Sequence, residues 1–238
     1  MSILQGNELH IKILSSLREA ERDNEESLES RIGKMQEFLE MQQLYRSAIR
    51  EITTKLEILD DEFRVRFAHD PIHHIESRLK SLPSMLEKLQ RKQADFEIAT
   101  IRHELTDIAG VRVICNYLED IYRIAELLTA QDDIELLRTK DYIKEPKPNG
   151  YRGLHLIVRV PVFLSSAKEM VPVEIQIRTI AMDFWASLEH QLRYKTVHEV
   201  PDDLHTRLKQ CSDVSAALDT EMQRIFNVLN AAELQCKS

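Results

Sequence analysis

The sequence predicts an α/β (α+β) protein, a small mixed β-sheet flanked by helices, with long helices at both ends. Three observations predict it. Nearly all the strand signal falls between residues 103 and 182. Apolar residues at both ends recur every three or four positions, the spacing of a helix face. Glycine is scarce, at 5 of 238 residues against a usual share of about 7%, so tight turns are few and each glycine marks a place to look.

In order, residues 1–63 form an acidic N-terminal helical region without proline, with 8 basic against 14 acidic side chains. Tyr45, Ile49, Ile52, Leu56, Leu59 and Phe63 step by fours and threes, the seam of a helix packed on another helix. Gly33 is expected to separate a short first helix from this longer one. Residues 64–195 form the core of the protein. Asp70 and Pro71 suit the N-cap and first turn of a helix, which would carry Arg78, Lys80, Lys88, Arg91 and Lys92. Strands are expected at Val111–Tyr117, Leu136–Ile143, Leu154–Val162 and Val171–Ile177. A helix at Asp120–Gln131 lies between the first two. A strand, a helix and then hairpin-linked strands give a mixed sheet rather than a doubly wound one. Residues 179–195 read as a helix with aromatic and apolar residues on one side. In the C-terminal region, 196–238, Pro201 opens a last helix whose Leu204, Leu208, Cys211, Val214, Leu218, Met222, Ile225 and Leu229 form a second seam. The three regions read as one compact domain, and the two seams suggest self-association.

Composition narrows the function. The net charge of −8 argues against DNA or an anionic membrane as partner. No apolar run reaches the roughly 18 residues of a membrane span, and the N-terminus lacks the pattern of a signal peptide. Cys115, Cys211 and Cys236, odd in number and widely spaced, make neither a disulfide framework nor a zinc pattern, which fits a cytoplasmic setting. Cys115 reads as a small core residue.

Four polar constellations interrupt the plain pattern. In Glu76–Lys92, Arg78, Lys80, Lys88 and Arg91 could converge on a polyphosphate, or form a solvated helix face. In Asp107–Val113 (DIAGVRV), Asp107 at a strand entrance suits a hard cation such as Mg²⁺, and Gly110 would permit close approach or an unusual φ; the plainer reading is a capped turn. Asp141–Leu156 holds the one concentrated turn region, with Lys140, Lys144, Lys147, Arg152, Tyr151 and His155 in or beside it. A basic loop with an aromatic could hold phosphates while a base stacks, or be a charged hairpin. In Val173–Thr179 (VEIQIRT), alternation puts Val173, Ile175 and Ile177 on one face and Glu174, Gln176 and Arg178 on the other. A polar face on an interior strand is costly unless it lines a wet site or forms salt bridges. Together these residues fit metal-assisted phosphoryl-type transfer between nucleotides. There is no Walker A motif, kinase set or G-x-S-x-G, so side chains must hold the phosphates.

At these motifs, over roughly residues 60–195, the sequence resembles the RelA/SpoT-type synthetase domain, and most closely the stand-alone small alarmone synthetases. The segments are PIHHIESRLK, DIAGVRVICNYLEDIY, DYIKEPKPNGYRGLHLIV and VEIQIRTIAMDFWASLEH, in that order. The resemblance implies a nucleotidyltransferase-like sheet and transfer of pyrophosphate from ATP to the 3′-hydroxyl of GDP or GTP, giving (p)ppGpp and AMP. It implies that Arg78 and Arg112 sandwich adenine and that Lys80, Lys88 and Arg91 bind the ATP phosphates. Asp107 and Glu174 would hold Mg²⁺, with Glu174 as base. Tyr151 would stack on guanine, Lys140, Lys147 and His155 would meet acceptor phosphates, and Gln176, Arg178, Asp183 and Glu189 would lie nearby. The terminal helices resemble those by which small synthetases form homotetramers. A regulatory nucleotide or RNA is left open as a further partner.

Gly153 stands where a Ser is common, and Gly153→Ser is expected to retain activity. Asp183 stands where some relatives have Asn. His69–Asp70 looks like the HD of the family's hydrolase domain, but too few residues precede it for that domain, so no hydrolase activity is expected. Two other readings stay open: a same-fold transferase acting on adenine nucleotides or tRNA, and a non-catalytic nucleotide- or RNA-binding regulator.

Overall fold

The computed structural model describes residues 28–67, 69–195 and 202–236. The short helix expected before Gly33 falls largely, and Pro201 entirely, outside the described residues. The elements are α1 (Leu28–Phe67), β1 (Ile72–Leu79), α2 (Leu82–Lys92), α3 (Ile98–Glu104), β2 (Ala109–Cys115), α4 (Leu118–Thr129), β3 (Glu135–Asp141), β4 (Leu154–Phe163), β5 (Lys168–Thr179), α5 (Ile180–Lys195) and α6 (Asp202–Cys236). The chain forms two compact units, Met1–Met41 and Gln42–Ser238. In the first, the described residues are the opening turns of α1. The second holds the sheet and the residues of the candidate site.

The five strands run in the order β1-β2-β5-β4-β3. Strands β2 and β5 are parallel, and the other neighbours are antiparallel. This is the expected mixed sheet. Alternation along β5 sorts the faces as read: Val173, Ile175 and Ile177 are fully buried, while Glu174 and Gln176 stand on the other side. Register carries the division across the sheet, since Gly110 pairs with Glu174 and Arg112 with Gln176 on β2, and His155 pairs with Gln176 on β4. Helix α4 packs on β2, β4 and β5 and buries Ile121, Ile124 and Leu128. A buried Ile or Leu contributes about 1.5–3 kcal/mol, so the apolar face holds the sheet and leaves the other face for chemistry.

Two expectations are corrected. Residues 72–79 are a strand, not the start of a helix: β1 pairs with β2 from Ile72↔Cys115 to Leu79↔Ala109. The helix starts at Leu82, where Ser81 Oγ accepts from Ser84 N–H and Pro83 occupies the first turn. Arg78 and Lys80 are therefore not on the helix that carries Lys88 and Arg91. Second, α1 runs unbroken through Gly33, whose missing side chain faces nothing within 4 Å. A mid-helix glycine costs about 1 kcal/mol against Ala, which the strong helix formers around it absorb.

The C-terminal seam, from which self-association is expected, does not face the chain's own core. Val214 is 70% exposed, and Leu218, Met222, Ile225 and Leu229 are exposed as well. The helix instead buries Ser212, Asp219 and Gln223, and it packs against α5 and α4. Of the α1 seam, Tyr45, Ile52 and Leu56 are fully buried. Cys115 is a buried core residue.

Candidate active site

The polar face of the sheet gathers most of the expected residues. Asp107 enters β2, and its Oδ2 takes two cations, Lys88 Nζ at 2.8 Å and Lys80 Nζ at 3.0 Å. Lys80 is placed by the end of β1, where its N–H donates to Ile108 O at 2.8 Å. Burial alone would raise the Asp107 pKa; the two lysines outweigh it and hold the carboxyl below its usual range. Asp107 Oδ1 is buried and has no hydrogen-bond partner among the described residues.

Glu174 stands opposite Gly110 on the neighbouring strand and belongs to a closed ring of side chains. Gln176 Nε2 donates to Glu174 Oε2 at 3.0 Å, and Arg178 Nη2 donates to Gln176 Oε1 at 3.0 Å. Arg178 Nη2 also donates to the Tyr151 hydroxyl at 2.8 Å. That hydroxyl lies 2.5 Å from His155 Nε2, and His155 Nδ1 lies 3.3 Å from Glu174 Oε1. One proton arrangement satisfies the ring: Nδ1–H donates to Glu174, and Nε2 accepts from Tyr151, which accepts from Arg178. Burial would raise the Glu174 pKa, but His155 and Gln176 outweigh it and keep it lowered. Burial raises the Tyr151 pKa against the opposing Arg178, so the phenol stays protonated. Asp183, in the first turn of α5, accepts from Arg178 Nη1 at 3.0 Å and lies 3.6 Å from Arg112.

Arg78 and Arg112 are diagonal neighbours on β1 and β2 and line one cleft with Glu76, Ser77, Gly110 and Gln176. Arg112 Nη1 donates to Glu76 at 3.0 Å, and its Nε is buried without a hydrogen-bond partner among the described residues. Gly110 is not at positive φ, and a Cβ there would make ordinary contacts with Arg78; neither reason given for a glycine at this position holds. Lys147 Nζ lies 4.5 Å from the Tyr142 ring centre and 4.6 Å from that of Tyr151. Lys140 pairs with His155 across β3 and β4. Glu189 accepts from Asn149 in the turn before Tyr151. Arg91 stands apart, exposed in the last turn of α2 and 3.8 Å from Glu87.

The sequence reading missed Glu76 and Tyr142. It also missed the buried polar residues of α6, although Ser212, Asp219 and Gln223 recur at steps of seven and four, a helical stripe of their own. His69 and Asp70 are structural. His69 Nε2 lies 2.7 Å from Asp120, and its ring lies 5.0 Å from that of Phe226, which stacks on Tyr117 at 4.1 Å. Asp70 faces Arg64.

Among the described residues, no three of His, Cys, Asp and Glu come together to hold a metal ion. Asp107 and Glu174 are a pair, which suits Mg²⁺: that ion is usually bound by one or two carboxylates and completes its shell with phosphates and water. The unpartnered Oδ1 is the oxygen such an ion would use.

Residues 77–199, which include the carboxylates and the ring, match the family described as the region found in RelA / SpoT proteins. The chain belongs to the RelA/SpoT family. GTP pyrophosphokinase YwaC of Bacillus subtilis is 44% identical over 179 residues, 75% of this chain and 85% of that protein. The crystal structure of small alarmone synthetase 2 from Bacillus subtilis superposes with TM-score 0.73 at 43% identity, covering 80% of this chain and 98% of that one. That of small alarmone synthetase 1 from the same organism, bound to its product pppGpp, gives TM-score 0.71 at 38% identity over 77% and 93%. The RelA/SpoT match and these likenesses bear out the expected fold class.

Proposed function

We propose that this RelA/SpoT protein is a (p)ppGpp synthetase, a GTP pyrophosphokinase that moves the pyrophosphate of ATP onto the 3′-oxygen of GDP or GTP. One observation carries this beyond family membership: Glu174 is joined on one side to the Tyr151–His155–Arg178 ring and on the other stands one strand from Asp107 and its two lysines. A donor phosphate held by the lysines and an acceptor held by the ring would meet at Glu174.

Arg78 and Arg112 clasp the adenine of ATP in their shared cleft. Lys80 and Lys88 hold its phosphates, and Arg91 reaches them from α2. Tyr151 stacks on guanine, with Lys147, Lys140 and His155 toward the acceptor phosphates. Gln176, Arg178, Asp183 and Glu189 hold the acceptor side in place. The new bond forms between the 3′-oxygen and the β-phosphorus, and the bond between that phosphorus and the α–β bridging oxygen breaks. AMP departs with the electron pair, while Glu174 receives the hydroxyl proton. Mg²⁺, when held by Asp107 and Glu174, neutralises charge on the transferring phosphates. The lowered pKa values keep both carboxylates anionic for that role.

The exposed stripe of α6 supports a homotetramer built through the terminal helices. No described helix is long and apolar enough to cross a membrane, and the free thiols Cys115 and Cys211 suit a cytoplasmic setting. The test of function is purified protein with ATP, Mg²⁺ and GDP or GTP. Guanosine tetra- or pentaphosphate should form, and Glu174→Ala should abolish it. Turnover at the unmodified rate in Glu174→Ala would refute the assignment, and labelling of tRNA or an adenine nucleotide instead would redirect it.

A further inference from the structure

We infer that α6 is a positioning element for the acceptor loop, acting through Ser212 and Asp213; this rests on the assignment of Tyr151 to the acceptor. The loop spans residues 142–153 between β3 and β4 and contains Gly150-Tyr151. Within it, Lys147 N–H donates to Tyr151 O, Gly150 N–H to Lys147 O, Tyr142 N–H to Gly153 O and Tyr151 N–H to Asn149 Oδ1. Further ties run to α6. Ser212, 2% exposed, donates its hydroxyl to Gly150 O at 2.5 Å. Asp213 accepts from Arg152 Nη2 at 3.2 Å, and Arg152 Nη1 donates to Ile143 O at 3.4 Å. One guanidinium thus joins the start of the loop, its end and the helix.

Helix and loop are closely fitted. Gly150 has φ +95°, and a Cβ there would fall 2.9 Å from Ser212 Cβ and 3.4 Å from Lys209 Cα. One turn beyond the loop contact and a second turn on, Asp219 accepts from Thr179 Oγ1 at 2.7 Å, and Thr179 Oγ1 accepts from Met182 N–H at the start of α5. The helix therefore buries a polar face and exposes an apolar one, the reverse of a helix that docks for stability alone. Its buried hydroxyl fixes the carbonyl directly before Tyr151. A shift of about 1 Å in a substrate-positioning group can cost on the order of a hundredfold in rate.

The test uses the full chain with Ser212→Ala, Asp213→Asn and both together. The double variant should raise KM for GDP about tenfold and leave KM for ATP within about twofold, with Asp213→Glu restoring most of the loss. Trp185 Nε1 donates to Leu208 O at 2.8 Å, so unchanged tryptophan emission will show α6 still docked. Amide exchange over 142–153 should rise in the double variant. Equal rises in both KM values, or a KM for GDP unchanged within about twofold, would overturn the inference. Should Ser212→Ala fail to fold, Asp213→Asn alone, at an exposed side chain, must raise KM for GDP at least about threefold or the inference falls. If the unmodified protein makes no product, the functional reading fails, and unchanged exchange over 142–153 in the double variant would separately overturn the role of α6.

Discussion

Lys88 Nζ lies 2.8 Å from Asp107 Oδ2. The lysine comes from α2 and the carboxylate from the entrance of β2, so the contact joins two of the sequence's polar constellations into one site. Lys80 meets the same oxygen, and Oδ1 has no hydrogen-bond partner among the described residues. Asp107→Asn keeps the shape and removes the charge. We expect kcat/KM to fall at least about a hundredfold, the scale of losing a charge-stabilising group. Initial rates at saturating Mg²⁺ check this.

The pH dependence has a definite sign. The folded pKa values of Asp107 and Glu174 lie below their ordinary values of 3.8 and 4.5. Their contribution to stability is present above those ordinary values and is lost as pH falls through the lowered ones. His69 behaves oppositely: its hydrogen bond to Asp120 raises its pKa above 6.5, against the opposing effect of burial. Its contribution is present below 6.5 and is lost as pH rises through the raised value. Thermal unfolding scans should show the alkaline decline weakened in His69→Asn and the acid decline weakened in Asp107→Asn.

The Tyr151 hydroxyl meets Arg178 and His155, and its ring is the one proposed to stack on the acceptor. Tyr151→Ala should raise KM for GDP about tenfold or more, since base–aromatic stacking is worth about 1–3 kcal/mol. Tyr151→Phe keeps the ring and should raise it much less. Steady-state kinetics with both variants separates the two roles.

Gly153 has φ +154°, and a Cβ there would lie 3.3 Å from Arg178 Cγ and from the Tyr151 hydroxyl oxygen. That backbone conformation is strained for an L side chain, which argues against the expectation that Gly153→Ser retains activity. The substitution should now lower kcat/KM several-fold and lower the unfolding temperature, a strained backbone costing about 1–3 kcal/mol. Calorimetry and kinetics on that variant decide it.

The outward stripe of α6 predicts assembly. Leu218→Asp with Ile225→Asp should convert the protein to a smaller species by light scattering. An unchanged mass would place the interface elsewhere.

The sheet was largely legible in the sequence. Alternation in VEIQIRT marked both faces of β5, and the β-branched runs marked β2 and β4. Strand β1 was not legible, because Asp70-Pro71 carries the same helix-start signal as Ser81 and Pro83. Pairing with β2, a contact across more than thirty residues, decides between them. The direction of α6 was hidden for a related reason. Spacing reveals a seam but not whether it faces the same chain or another. Asp107 and Glu174 could be named from residue type and position. The ring joining Glu174 to Tyr151 could not, since it depends on how β4 and β5 register.

The most direct measurement follows label from ATP carrying a marked terminal phosphate, incubated with GDP and Mg²⁺. The label should appear on the 3′-pyrophosphate of guanosine tetraphosphate, with one AMP released per product. Release of ADP, or label that never reaches the 3′-position of guanosine, would contradict pyrophosphate transfer at this site.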